Sequence, residues 1–171
     1  MRVAVISDTH FPGRGAVLPD LCRARLATAD MILHAGDISC LDALGAIRDL
    51  GPPVTAVHGN VDDAVLRRML PSSVELELNG FRIAMTHDAG PASGRIARLR
   101  LRFPQADAVV FGHSHIPLIE YGSANFVIVN PGSPTDRRRQ PHHTMAELEL
   151  VPGNPVRAQI IVVDGPDGPN N

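Results

Sequence analysis

The stretch AVVFGHSH, Ala108 to His115, joins a run of branched apolar residues to two histidines one residue apart. Ala108 to Gly112 reads as a buried β-strand: short, apolar and ended by glycine, the pattern of a parallel strand covered on both faces. Side chains two apart on a strand project to the same side. A strand end carrying His-x-His can therefore aim both imidazoles at one point, which suits a metal. Such a pair alone is more often polar surface than a pair of ligands, so the metal reading needs further donors.

Working outward, Val3 to Ser7, Met31 to Ala35 and Val54 to Gly59 repeat the pattern, each a short apolar run closed by polar residues or glycine. Between the runs, Leu18 to Ala27, Leu41 to Leu50 and Ser93 to Phe103 have helical spacing. Arg95, Arg98 and Arg102 lie along one face of the last, which reads as a solvated face. VELELNGFRIAMTH, Val74 to His87, is two alternating strands joined by Asn79-Gly80, a hairpin signal that adds antiparallel pairing to a parallel pattern. Strands are also expected at Leu118 to Tyr121, Asn125 to Val129, Thr144 to Leu150 and Val156 to Val163, with Pro/Gly loops between them. The class is α/β.

The chain has 171 residues, 44% of them hydrophobic, which suits one domain over 1–165 with a flexible tail at 166–171. A net charge of -2 gives no electrostatic footprint for a polyanion, although all 16 basic residues are arginine, whose planar fork matches phosphate. Cys22 and Cys40 lack CxxC spacing and read as reduced thiols, which makes the cytoplasm the default location. Val3 to Ile6 is too short for the core of a secretion signal, and no apolar run is long enough to span a membrane.

Ligands of open α/β sheets gather beyond the carboxyl ends of the strands. Five segments place donors there: Asp8-Thr9-His10, Gly36-Asp37, Gly59-Asn60-Val61-Asp62, Thr86-His87 and His113-Ser114-His115. One such loop could be a turn built around its own Asp or Asn, but five in register are not explained that way. Carboxylate, imidazole and amide donors without thiolate suit two hard or borderline cations sharing a carboxylate, such as Mn, Fe or Zn.

In order, D-x-H, G-D, G-N-x-D, a lone His and G-H-x-H resemble the signature of calcineurin-like metallophosphoesterases. The resemblance runs from about Arg2 to Val163. The compact length and the loop Asn130-Pro131-Gly132-Ser133 look like the small YfcE-type phosphodiesterase branch. It implies a four-layer α/β/β/α sandwich of two mixed sheets flanked by helices. It also implies two divalent ions, Mn with Fe, Zn or Ni as alternatives. Carried over by position, Asp8, His10 and His115 would hold the first, Asn60, His87 and His113 the second, and Asp37 would bridge both, so His113 and His115 would serve different ions. Asp37, Asn60 and His87 are the candidate catalytic residues; no substrate-binding residue is implied. Two such ions, roughly 3.5–4 Å apart, would activate a bridging hydroxide for in-line attack on a phosphodiester. The implied partner is a small phosphoester, with no membrane and no stable nucleic-acid complex, and a homo-oligomer is allowed.

The retromer's small cargo-sorting subunit also resembles this branch but is an interaction protein whose metal site has decayed; the complete ligand set here speaks against that alternative. Two positions depart from the pattern. Val61 stands where the family has a His, or in the small branch often a Cys, that protonates the leaving group, with Asp62 placed to orient such an acid. Asp88 stands where glycine is usual, an extra carboxylate near the second ion. Ser114 reads as a small spacer, His34 and His58 as core or supporting partners, and Arg137 to Arg139 with His142 and His143 as a solvated loop.

Overall fold

The computed structural model describes residues 1–11 and 17–164; the tail expected at 166–171 lies outside them. The chain runs β1 (Arg2–Ile6), α1 (Asp20–Ala27), β2 (Met31–His34), α2 (Leu41–Arg48), β3 (Val54–Ala56), α3 (Ala64–Met69), β4 (Ser73–Leu78) and β5 (Phe81–Thr86). It continues through α4 (Arg95–Arg102), β6 (Ala108–Val110), β7 (Leu118–Tyr121), a 3₁₀ turn at Ser123–Asn125, β8 (Val127–Asn130), β9 (Thr144–Glu149) and β10 (Arg157–Val162).

Two five-stranded mixed sheets form, in the orders β10-β9-β1-β2-β3 and β4-β5-β6-β8-β7. Strands β1, β2 and β3 are parallel, as are β5, β6 and β8, and antiparallel strands flank each trio. The period of two along β1 explains the layering. Val3 and Val5 pack with Leu33, Ile83, Met85, Val110 and Val129 between the sheets. Ala4 and Ile6 face the other way, toward Leu26 of α1 and Ile47 of α2. On the far side of the second sheet, Ala84, Val109 and Ile128 pack on Leu99 and Phe103 of the α4 segment. The result is the four-layer α/β/β/α sandwich. Each fully buried Val, Ile or Leu in it contributes about 1.5–3 kcal/mol.

The hairpin forms about Asn79 and Gly80, with φ of 51° and 83°, and pairs Leu78 with Phe81. Three expected helices are shorter than their periodicity. α1 starts after Pro19, α2 ends at Arg48, and α4 starts only after Gly94, whose φ of 66° breaks the helix. Helix α3 was not expected from periodicity. It has only six residues and rests on the Asp63 carboxylate, which accepts the Val65 and Leu66 N–H groups at 2.9 and 2.8 Å, and on the buried Leu66.

Candidate metal centre

The loops after β1, β2, β3, β5 and β6 converge at one end of the sandwich and bring all seven expected donors together in two sets. Asp8, His10 and His115 offer ligand atoms within 4.8 Å of one another, and Asp37, His87 and His113 do the same. Asn60 joins the second set: its Oδ1 lies 3.1 Å from His87 Nε2 and 2.8 Å from His113 Nδ1. The sets interlock, because the Asp8 carboxylate accepts the His113 backbone N–H at 3.0 Å.

The backbone, rather than strand alternation, aims these groups. Strand β6 ends at Val110, and His113 and His115 have φ of 69° and 59°, so the two imidazoles diverge into different sets instead of meeting at one point. Asp8, His10 and Asp37 also lie in the left-handed region, at 55°, 46° and 56°. Five of the seven donors thus carry a conformation that costs about 1–3 kcal/mol each, characteristic of sites where packing holds function against local preference.

The protonation pattern tests whether cations fit. His87 Nδ1 donates to Ala35 O at 2.8 Å, so in the neutral ring its Nε2 carries a lone pair. That lone pair faces Asn60 Oδ1 and, at 3.3 Å, Asp37 Oδ2. His115 Nδ1 donates to the Asp136 carbonyl, which leaves its Nε2 facing His10 Nε2 at 3.2 Å and Asp8 Oδ1 at 3.5 Å. The inward Nε2 atoms thus face carboxylate, amide and imidazole groups at close range, a setting that a proton on His10 or His87, or a cation, satisfies, and the far nitrogens of His87 and His115 are fixed by carbonyls as in metal-ligating histidines. The donors fit two divalent cations.

Ionisation agrees. Burial pushes the Asp8 carboxyl up to about 7, which the charge of His87 and hydrogen bonds from Ser7 and the His113 N–H offset only in part. Burial would raise Asp37 too, but hydrogen bonds from His87 and the Val61 N–H hold it at about 2. His87 is raised above the ordinary imidazole value: burial opposes this, but the hydrogen bond to Asp37 and the charges of Asp8 and Asp37 outweigh it. Burial lowers His10 and His115, which keeps them neutral and free to ligate.

Supporting residues explain how the loops hold. His34, pushed by burial down to about 3, accepts the Gly36 N–H on Nδ1 and donates from Nε2 to Thr9 Oγ1 at 3.0 Å, tying the Asp8–His10 loop to the Asp37 loop. The buried segment from Asn130 to Asp136 does more than mark a family likeness, a role the sequence reading missed. Asn130 Nδ2 donates to Gly112 O and Ser114 Oγ, Ser133 Oγ to Asp8 O at 2.7 Å, and Thr135 Oγ1 to Thr9 O. Its signal was an Asn-Pro-Gly-Ser run directly after a strand, too generic to locate a partner.

Two glycines are required by close approach. A Cβ on Gly59 would lie 2.0 Å from Asp37 Oδ1, and one on Gly112 would lie 1.9 Å from Ser7 Oγ and 2.7 Å from Asp8 Oδ2. Gly112→Ala is therefore expected to destabilise the protein by about 1–3 kcal/mol, the range for forced overpacking, and to weaken metal uptake. Urea unfolding of metal-free protein, followed by metal analysis of the refolded variant, checks both effects.

The remaining expectations divide. Val61 is half-exposed beside the centre, and its N–H is bound to Asp37 Oδ1 at 2.9 Å. Asp62 cannot orient an acid at position 61, because its two oxygens accept the Ser39 and Gly59 N–H groups, each at 2.7 Å. Asp88 lies outside both donor sets and accepts the Gly90 N–H at 2.7 Å. Ser114 Oγ also accepts the Ile116 N–H, so it holds a turn. His142 and His143 pair with Asp164, and Arg137 with the Gln140 carbonyl, a loop that closes on itself. Cys22 and Cys40 are free thiols.

The calcineurin-like phosphoesterase superfamily domain matches residues 1–152, and the chain belongs to that family. A probable metallophosphoesterase of Methanothermobacter thermautotrophicus is 33% identical over 168 residues, 97% of this chain and 95% of the relative. The fold is similar to that of zinc-complexed Vps29 from Entamoeba histolytica, with a TM-score of 0.75 at 22% identity over 96% of this chain and all of the other. It is also similar to that of an archaeal phosphodiesterase, with a TM-score of 0.69 at 17% identity over 94% of this chain and all of the other. The chain is thus a metallophosphoesterase by family. No helix of the described residues is long and apolar enough to cross a membrane.

Proposed function

We propose that the protein is a cytoplasmic phosphodiesterase with two divalent ions, Mn in the first instance, held by Asp8, His10 and His115 and by Asn60, His87 and His113, with Asp37 shared. The observation that carries the reading is the pair of interlocked donor sets, in each of which carboxylate and imidazole ligand atoms lie within 4.8 Å of one another, with Asn60 Oδ1 beside the second. When bound, two such ions supply neutralisation of phosphoryl oxygens and an acidified water. The chain's own residues set the geometry. Ala35 O and Asp136 O fix the rings of His87 and His115, and the Val61 N–H fixes Asp37. Ser114, between His113 and His115, has its hydroxyl engaged by Asn130 Nδ2 and no base paired to it among the described residues, which speaks against a covalent nucleophile there.

Metal analysis of protein purified without chelator, paired with hydrolysis of bis(p-nitrophenyl) phosphate in added Mn²⁺, tests the proposal. Close to two ions per chain and Mn-dependent turnover are expected. His113→Ala and His115→Ala should each remove one ion, and anomalous scattering should show that the ions differ. Full metal content without hydrolysis of any diester or monoester would favour the non-catalytic scaffold. Loss of the same ion from both variants would overturn the assignment.

A further inference from the structure

An open cleft of about 530 Å³ adjoins the second donor set and is lined by Asn60 and His87 together with Arg67, Arg102, His58 and Asp88. Its charges are unevenly answered. The arginine–carboxylate pairs among the described residues are Arg25–Glu147 and Arg157–Glu149, so neither cleft arginine is neutralised by an ion pair there. Asp88, the one carboxylate lining the cleft, has an oxygen committed to the Gly90 N–H.

Helix α4 sharpens the contrast. Arg98 donates to the carbonyls of Ala89, Pro91 and Ser93, Arg95 to Gly90 O, and Arg100 to Pro104 O and Ala106 O. Those three hold the loops that flank the helix. The Arg102 side chain makes no hydrogen bond to protein among the described residues and lines the cleft with its guanidinium 5.0 Å from the centre of the Phe103 ring. Arg67, which lines the same cleft, is tethered by one N–H to Asn60 O and has no other hydrogen bond from its guanidinium among the described residues. Two exposed guanidinium forks, one anchored on the backbone of a metal-donor residue, form a receptor for an oxyanion.

The geometry points to a substrate subsite here: the ester arm that occupies the cleft carries a second anionic group, of phosphate type, which Arg102 and Arg67 bind while the scissile phosphate lies at the donor sets. This rests on the phosphodiesterase reading and narrows its substrate class to diesters with an additional phosphate on one arm.

The test compares thymidine 3′-phosphate 5′-(p-nitrophenyl phosphate) with thymidine 5′-(p-nitrophenyl phosphate) on the Mn-loaded protein. Calorimetric binding of thymidine 3′,5′-bisphosphate and thymidine 5′-monophosphate is measured in parallel. Wild type should favour the member of each pair that carries the additional 3′-phosphate by about 10- to 100-fold, the worth of charge-assisted hydrogen bonds. In Arg102→Ala both ratios should fall toward one, and Arg102→Lys should restore part of them. Arg48→Ala, which removes the same charge from the exposed end of α2, should keep both ratios. A wild-type ratio near one, or a ratio retained in Arg102→Ala, overturns the subsite. Absence of hydrolysis for both esters overturns the phosphodiesterase reading instead, and the calorimetric ratio still decides the subsite.

Discussion

Asp37→Asn is expected to lower bound metal and diester hydrolysis together, with kcat falling by about 10²-fold or more, because one carboxylate is proposed to serve both ions. The substitution keeps the shape of the site. An asparagine Oδ1 still accepts the Val61 N–H that the carboxylate now accepts at 2.9 Å, so the Asn60–Asp62 loop should hold its path. What changes is the charge facing His87 Nε2, 3.3 Å away, and with it the attraction for a cation in the second set. Metal content, single-turnover hydrolysis and thermal unfolding of the metal-free variant separate these effects. Unchanged turnover at reduced metal content would sink the shared-carboxylate assignment.

The second large effect concerns the leaving group. An isopropyl side chain cannot donate a proton, and general acid catalysis typically contributes about 10²- to 10⁴-fold. Val61 is half-exposed beside the centre, its N–H bound to Asp37 Oδ1 at 2.9 Å. The protein should therefore cleave aryl diesters faster than alkyl diesters by about that factor, with a steep dependence of rate on leaving-group pKa. Val61→His should flatten the slope, but only in part: Asp62 is occupied by the Ser39 and Gly59 N–H groups and cannot orient a new imidazole. A linear free-energy series on substituted phenyl diesters measures both slopes. A shallow slope in wild type would place the proton donor elsewhere and make Val61 no handicap.

The sandwich was legible because its causes are local. Branched apolar runs with period two, the Asn79-Gly80 turn and apolar strands ending in polar residues appear within ten-residue windows, and they gave every strand to within two residues except β3, which ends three residues early. The candidate donors were legible because five segments, each closing an apolar run, carry carboxylate, amide or imidazole groups, a coincidence that separate turns do not explain. Helix α3 was not legible, because a cap at Asp63 and one buried leucine stabilise it rather than a repeating apolar face.

What tertiary structure alone decided was where each donor points and what holds it there. Residues 105 apart share hydrogen bonds between Asp8 and His113, and Ser133 grips the Asp8 carbonyl from 125 residues away. No local window contains those pairs, and no propensity predicts the left-handed backbone that splits His113 from His115. The same holds for the arginines of α4, which share one helical pattern in the sequence. Packing against different loops commits three of them to carbonyls and leaves Arg102 at the cleft, because a side chain's function is set by the partners within a few ångströms, and in a folded chain those partners come from distant sequence.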